Sequence, residues 1–213
     1  MTLTTRSALW AAIHAERTAL ADDVAGLDGD QWQARSLCSD WSVEQVVAHL
    51  TASATLGPAR WFASVVGARF DFDLHNQRRM LEHLGSSPAE TLARFRAVVT
   101  STTAAPGPVT AWLGEIVVHS EDIRRPLGLT RAFPAEVTET VARFYATTNF
   151  AVPSRKVVSG FRVEASDGDF AAGDGPLVRG STLALVMVMA GRSAYLAELD
   201  GPGVAGLEGR LHR

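Results

Sequence analysis

Only one cysteine, Cys38, occurs among the 213 residues. A single thiol closes no internal disulfide, so a reducing cytoplasm is the expected setting. The opening stretch from Met1 to Trp10 lacks the basic-then-apolar layout of a secretory leader. The longest uninterrupted apolar run, Leu183 to Ala190, is far shorter than the roughly 20 residues that span a bilayer. No membrane role is expected. Charge of one sign is not concentrated anywhere: 23 acids against 20 bases leave a formal −3, with no basic block for a nucleic acid to grip. No glycine-rich turn has the strand–loop–helix setting of a dinucleotide or phosphate loop, and no nucleophile-elbow motif supports a serine hydrolase. Low-complexity tracts are absent as well, so an ordinary folded chain is expected.

Helical periodicity dominates what is present. Leu9, Ile13, Leu20, Val24 and Leu27 recur at steps of three, four and seven, predicting a helix over 6–27. The stretch 28–40 loses that period and reads as a loop laid on the helices. Ser42, with Gln45 three residues on, predicts a capping box and a helix whose stripe runs Val43, Val46, Val47, Leu50, Ala54 and Trp61. Further helices are expected at about 73–84, from Ser87-Pro88 to about Thr102, and from about Val109 to Arg125, where Pro126 and Gly128 stop the chain. Phe133-Pro134 opens another. Beyond Pro153 the character changes: Phe161, Val163 and Ala165 alternate with Arg162 and Glu164, and a second strand is expected near Pro176–Val178. Leu183–Ala190 reads as a helix capped by Ser181 or Thr182 and ended by Gly191. The expected architecture is mainly α with a small α+β C-terminal part. An antiparallel four-helix bundle occupies 1–152, and a small α/β domain at 153–213 docks on it because a segment of about 60 residues is marginal alone.

The helix from Trp112 carries the most chemistry. At about 100° per residue, His119 lies about 40° from Glu115, and Asp122 about 20° to the other side. A carboxylate and an imidazole one turn apart can share one metal ion, or can be no more than a hydrogen-bonded pair. Asp122 suits the acceptor that a ligating histidine needs for its other N–H, although ligand and solvated roles stay open. His49 lies about 120° off the apolar stripe of its helix, on a flank that faces either a neighbouring helix or water. His75 and His83, eight residues apart, form a weaker competing pair. Cys38 has no evident activating neighbour and reads as a packed loop residue.

Three segments together resemble the mycothiol-dependent maleylpyruvate isomerase family, within the wider DinB-like metal-binding bundles. They are Trp32 to Leu50, with its Cys38-Ser-Asp-Trp and His49-Leu elements, then Gly114 to Gly128, and the tail with Gly173-Asp-Gly, Gly191-Arg192 and Leu199-Asp-Gly-Pro. The resemblance implies a helical bundle whose metal ligands are His49, Glu115 and His119, with zinc as the expected ion. It also implies a small C-terminal α/β domain in which Arg192 matches a candidate active-site arginine; a structural role at a helix end is the other reading.

Three protein ligands leave zinc an open position, as in catalytic sites. The resemblance implies that mycothiol enters there as a thiolate and meets an electrophilic small molecule. In an isomerase the sulfur adds to the double bond of maleylpyruvate, and rotation and elimination follow; in an S-transferase the thioether is released. Arg192 would then face a substrate carboxylate. The alternatives are a non-catalytic bundle that binds metal or a small ligand, and a thiol-independent, metal-assisted hydrolase.

Overall fold

The computed structural model describes residues 2–38 and 41–211. Its first helix, α1 (Arg6–Asp23), gives way to a 3-10 turn at Val24–Gly26, so the apolar period expected to Leu27 is realised in two pieces. Asp28 then caps a short helix, α2 (Gly29–Gln33), where a loop was expected. The Asp28 carboxylate accepts from Gln31 N at 2.9 Å, and the Gln31 amide oxygen accepts from Asp28 N at 3.0 Å. This reciprocal cap satisfies two orphan donors and forms a helical turn without any apolar period. The end of the expected loop, Ser39 and Asp40, lies outside the described residues.

Ser42 and Gln45 form the capping box that opens α3 (Val43–Thr55), with Gln45 N donating at 3.3 Å and Ser42 N at 2.9 Å. The helix does not continue to Trp61. Leu56 and Gly57 are extended, and Pro58 restarts the chain as α4 (Pro58–Gly67), since proline suits a first turn and breaks an interior one. Next come α5 (Phe72–His83) and α6 (Pro88–Arg96). Ser87 caps α6 through Glu90 N at 3.3 Å, but the Glu90 carboxylate reaches Ser86 instead, accepting from its N at 2.7 Å and its Oγ at 2.6 Å. Then α7 (Val109–Arg124) stops just before Pro126, and Gly128 takes up a left-handed φ of 66°.

Residues Trp10–Arg131 form one compact unit. Helix α3 lies inside it, packed on α2, α5, α6 and α7, and ten of its thirteen residues are buried. Ile13, Leu20, Val46, Val47, Phe95, Leu113 and Ile123 supply the apolar interior, each side chain contributing about 1.5–3 kcal/mol by leaving water. Several buried acidic groups are paired. Glu16 accepts two bonds from Arg131, at 2.7 and 3.1 Å, and Asp23 accepts from Arg124 Nε at 2.7 Å. Glu44 takes Gln33 Nε2 at 2.9 Å and Thr91 Oγ1 at 2.8 Å.

The second unit comprises the described residues among 1–9 and 132–213. It contains α8 (Ala135–Thr147), α9 (Ser154–Val158), strands β1 (Arg162–Ala165), β2 (Ala171–Ala172) and β3 (Leu177–Gly180), then α10 (Thr182–Met189) and α11 (Val204–Leu211). The sheet order is β2-β1-β3, antiparallel between β1 and β2 and parallel between β1 and β3, with Val163 opposite both Ala172 and Val178. Gly173 holds φ at 74°, and a Cβ there would run into the Phe161 carbonyl. Ser181 caps α10 through Ala184 N at 3.1 Å, and Asp167 secures Thr182 N and Oγ1 at 2.8 and 2.6 Å. In sequence the α8 segment groups with the bundle, and the C-terminal part is expected to begin at 153. By packing, α8 lies on α10, and Leu3 N donates to Thr140 Oγ1 at 2.8 Å. Among the described residues, no helix is long and apolar enough to cross a membrane.

The cap on α3 has a measurable consequence. Ser42→Ala is expected to lower stability by about 1 kcal/mol and Ser42→Gly by only a few tenths. Urea midpoints at constant slope check both values, and equal losses would show that the box contributes nothing beyond backbone freedom.

Candidate metal centre

Helix α3 delivers His49, and α7 delivers Glu115 and His119 one turn apart. Their ligand atoms all lie within 4.8 Å of one another. His49 Nε2 stands 3.5 Å from Glu115 Oε1, and the two imidazoles are 5.0 Å apart, edge to face. Trp41 packs against the His49 ring at 5.0 Å. His49 is buried because α3 has neighbours on several sides, so the flank that periodicity left open faces α7 rather than water.

Partners outside the trio aim its side chains. Ser53, one turn after His49, donates to Glu115 Oε1 at 2.7 Å. Asp122, fully buried, stands 2.9 Å from His119 Nδ1 through Oδ2. A carboxylate accepts, so the proton sits on Nδ1 and Nε2 is left as the donor atom toward His49 and Glu115. Of the roles open to Asp122, the structure shows the acceptor.

Each imidazole is shifted in a different direction. Burial pushes His49 below its ordinary value, against the pull of Glu115. Burial also opposes charge on His119, yet its hydrogen bonds to Asp122 and Cys38, with the charge of both groups, push it up to about 10. Burial would raise Glu115, but hydrogen bonds from His49 and Ser53 and the neighbouring imidazole charge hold it below the usual carboxylate range. The pocket therefore favours one positive charge beside one carboxylate, an arrangement that a cation can take over.

The donor set fits a metal ion. Bonds of about 2.0–2.1 Å in a tetrahedron place two donors about 3.3 Å apart, close to the 3.5 Å between His49 and Glu115. His49 Nδ1, the ring nitrogen away from Glu115, is buried with no partner among the described residues. A cavity of about 590 Å³ opens beside His49 and His119, lined also by Cys38, Trp41, Asp71 and Asn76. A smaller one of about 80 Å³ lies on the Glu115 side, with His75 and Arg79.

The other sequence candidates are placed elsewhere. His75 Nδ1 takes Ser64 Oγ at 2.8 Å and His83 Nε2 takes Thr55 Oγ1 at 3.1 Å; among the described residues neither joins a candidate metal cluster. Arg192 belongs to the second unit, where it precedes a 3-10 turn at Ser193–Glu198 and donates through Nη1 to Ala190 O at 2.7 Å. Cys38 is the residue that sequence reasoning undervalued. Its sulfur lies within 4.8 Å of a donor atom of His119, a neighbour distant in sequence that no local spacing reveals.

The sequence pattern described as the mycothiol maleylpyruvate isomerase N-terminal domain matches residues 13–142. Two solved structures share the fold. One is a histidine-to-alanine mutant of the mycothiol-dependent maleylpyruvate isomerase, with TM-score 0.61 and 12% identity over 93% of each chain. The other is that isomerase itself, with TM-score 0.57 and 13% identity, again over 93% of each chain. No curated protein sequence matches significantly.

The shifted His119 sets a pH dependence for the metal-free protein. Its folded value of about 10 lies above the unfolded value near 6.5, so its stabilisation is complete below about pH 6.5 and lost as pH rises toward 10. Urea midpoints in chelator are therefore expected to fall between pH 7 and 9.5, and Asp122→Asn is expected to flatten that fall. An unchanged slope in the variant would show that Asp122 does not hold the proton on His119.

Proposed function

We propose a function for a chain that belongs to the mycothiol maleylpyruvate isomerase N-terminal domain family: it is a metal-dependent enzyme that sets mycothiol against an electrophilic small molecule of the maleylpyruvate type. The observation that carries this reading is the convergence of His49, Glu115 and His119 beside a cavity of about 590 Å³. Three donors leave one direction unclaimed, and the cavity gives it room for a cosubstrate.

When bound, the ion, zinc by the chemistry of two imidazoles and a carboxylate, supplies the Lewis acidity that keeps a thiol deprotonated near neutral pH. The chain does the rest. Asp122 holds the proton on His119 Nδ1 and so keeps Nε2 turned to the ion. Ser53 does the same for one oxygen of Glu115. Trp41 packs at a tilt against the His49 ring and covers one side of it. Isomerisation needs only addition of the cosubstrate sulfur to an activated double bond, rotation and elimination; S-transfer would end at the adduct. Arg192 is assigned the pairing with a substrate carboxylate, on its position in the Gly191-Arg192 element.

Metal content and thiol dependence test the two halves separately. Untagged wild-type protein is expected to carry about one equivalent of zinc, and His49→Ala and His119→Ala to bind it at least about tenfold more weakly. Equal, negligible metal in all three would remove the centre. Turnover of maleylpyruvate is expected with mycothiol and not with glutathione, while turnover without any thiol would identify a hydrolase or another chemistry instead. Arg192→Ala is expected to raise KM with metal content unchanged.

A further inference from the structure

The smaller cavity, on the Glu115 side, has its own chemistry. His49 and Glu115 line it together with Trp61, His75, Arg79 and Trp112. His49 and Asn76 line this space and the larger one alike, so two cavities adjoin one candidate centre. They differ in size, about 80 Å³ against about 590 Å³. A water claims about 30 Å³ of liquid volume, so the smaller space admits a fragment of a few heavy atoms and the larger one a whole cosubstrate.

Arg79, on α5, brings a permanent positive charge to that lining. Burial first, and then the Arg79 guanidinium, hold His75 below its ordinary value, so the imidazole beside it is uncharged near neutral pH. Glu82, an exposed carboxylate one turn on, takes Arg79 Nη2 at 2.6 Å. Nε is buried with no partner among the described residues. A guanidinium makes its strongest hydrogen bonds to carboxylates. Trp61 and Trp112 add flat apolar walls, which suit the short carbon chain that bears an acid group. The one carboxylate among the described lining residues is Glu115, and the metal centre already commits its charge.

We propose that Arg79 holds a carboxylate of the electrophile in the smaller cavity while the thiol cosubstrate occupies the larger one. This rests on the function proposed above and deepens it: the electrophile carries an acid group close to its reactive carbon, and uncharged electrophiles are poor substrates. A maleylpyruvate-type compound has an acid group at each end, so the assignment stands beside that of Arg192. Arg79 makes and breaks no covalent bond. It sets which small molecules are retained and which end enters first.

Calorimetry in the presence of zinc, with maleate as the acid and maleamide as its neutral counterpart, tests the site without turnover. Wild type is expected to bind maleate at least about tenfold more tightly than maleamide, and Arg79→Gln to lose that preference. Glu82→Ala is expected to keep it, because the guanidinium stays in place. An equal loss in Glu82→Ala would reduce Arg79 to a structural partner of Glu82 and overturn the inference. In turnover, Arg79→Gln is expected to raise KM for maleylpyruvate at least about tenfold, with zinc content and KM for mycothiol unchanged. Wild type without the maleate preference, or an unchanged KM in Arg79→Gln, overturns the role of Arg79 and leaves the proposed function standing. Maleate held through Arg79 without thiol-dependent turnover keeps the acid site and removes the reaction. The Arg79–Glu82 pair is partly exposed and contributes little to stability, so Arg79→Gln is expected to fold. Should it not, Arg79→Lys, which keeps the charge and loses the Nε donor, is expected to show a weaker preference for maleate, and an undiminished one overturns the inference.

Discussion

Asp122 is completely buried and is used twice: its side chain takes His119 Nδ1 at 2.9 Å and its main-chain carbonyl takes Leu37 N at 3.0 Å. The first bond decides which nitrogen of His119 is available to a ligand. The second ties the loop holding Cys38 and Trp41 to α7. The centre depends on both. A buried carboxylate is costly unless its lone pairs are used, and here their use aims an imidazole. The same economy appears at Ser53, whose hydroxyl orients Glu115 from one turn beyond His49.

Burial of α3 is the second constraint. A helix with ten buried residues in thirteen has no single polar face, so any polar side chain on it must find a partner inside the protein. Glu44 finds Gln33 and Thr91, and Thr51 donates to the Val47 carbonyl at 3.0 Å. His49 finds Glu115 with one nitrogen only. His75, outside the trio, pairs its Nδ1 with Ser64 instead.

Electrostatics sharpen the same distinction. Two imidazoles stand 5.0 Å apart, and their proton affinities move in opposite directions: burial outweighs Glu115 at His49, while the hydrogen bond to Asp122 outweighs burial at His119. The proton on His119 is what a metal ion must displace, so affinity for the ion and stability of the metal-free protein are linked through one group.

Much of this was legible in the sequence. The capping box at Ser42, the stop at Pro126, the strand alternation over 162–165 and the capped apolar helix after Ser181 are local features, set by hydrogen bonds and periods within a few residues. The pairing of Glu115 with His119 and the acceptor at Asp122 are local too, because one turn of helix brings them onto one stripe. Other features follow from packing. The short helix after Asp28, the break at Leu56-Gly57 and the grouping of α8 with the later strands escaped a reading based on apolar period. His49 joined the site only by resemblance, since a wheel with one stripe says nothing about a helix surrounded on several sides. Cys38 was passed over because its neighbour His119 lies on another helix far along the chain. By itself the sequence determined which residues can bind a cation and how those on one helix turn line up; the tertiary structure decided which of them meet, because convergence of separate helices depends on the packing of α3 and on bonds such as Leu37 to Asp122 that leave no trace in local spacing.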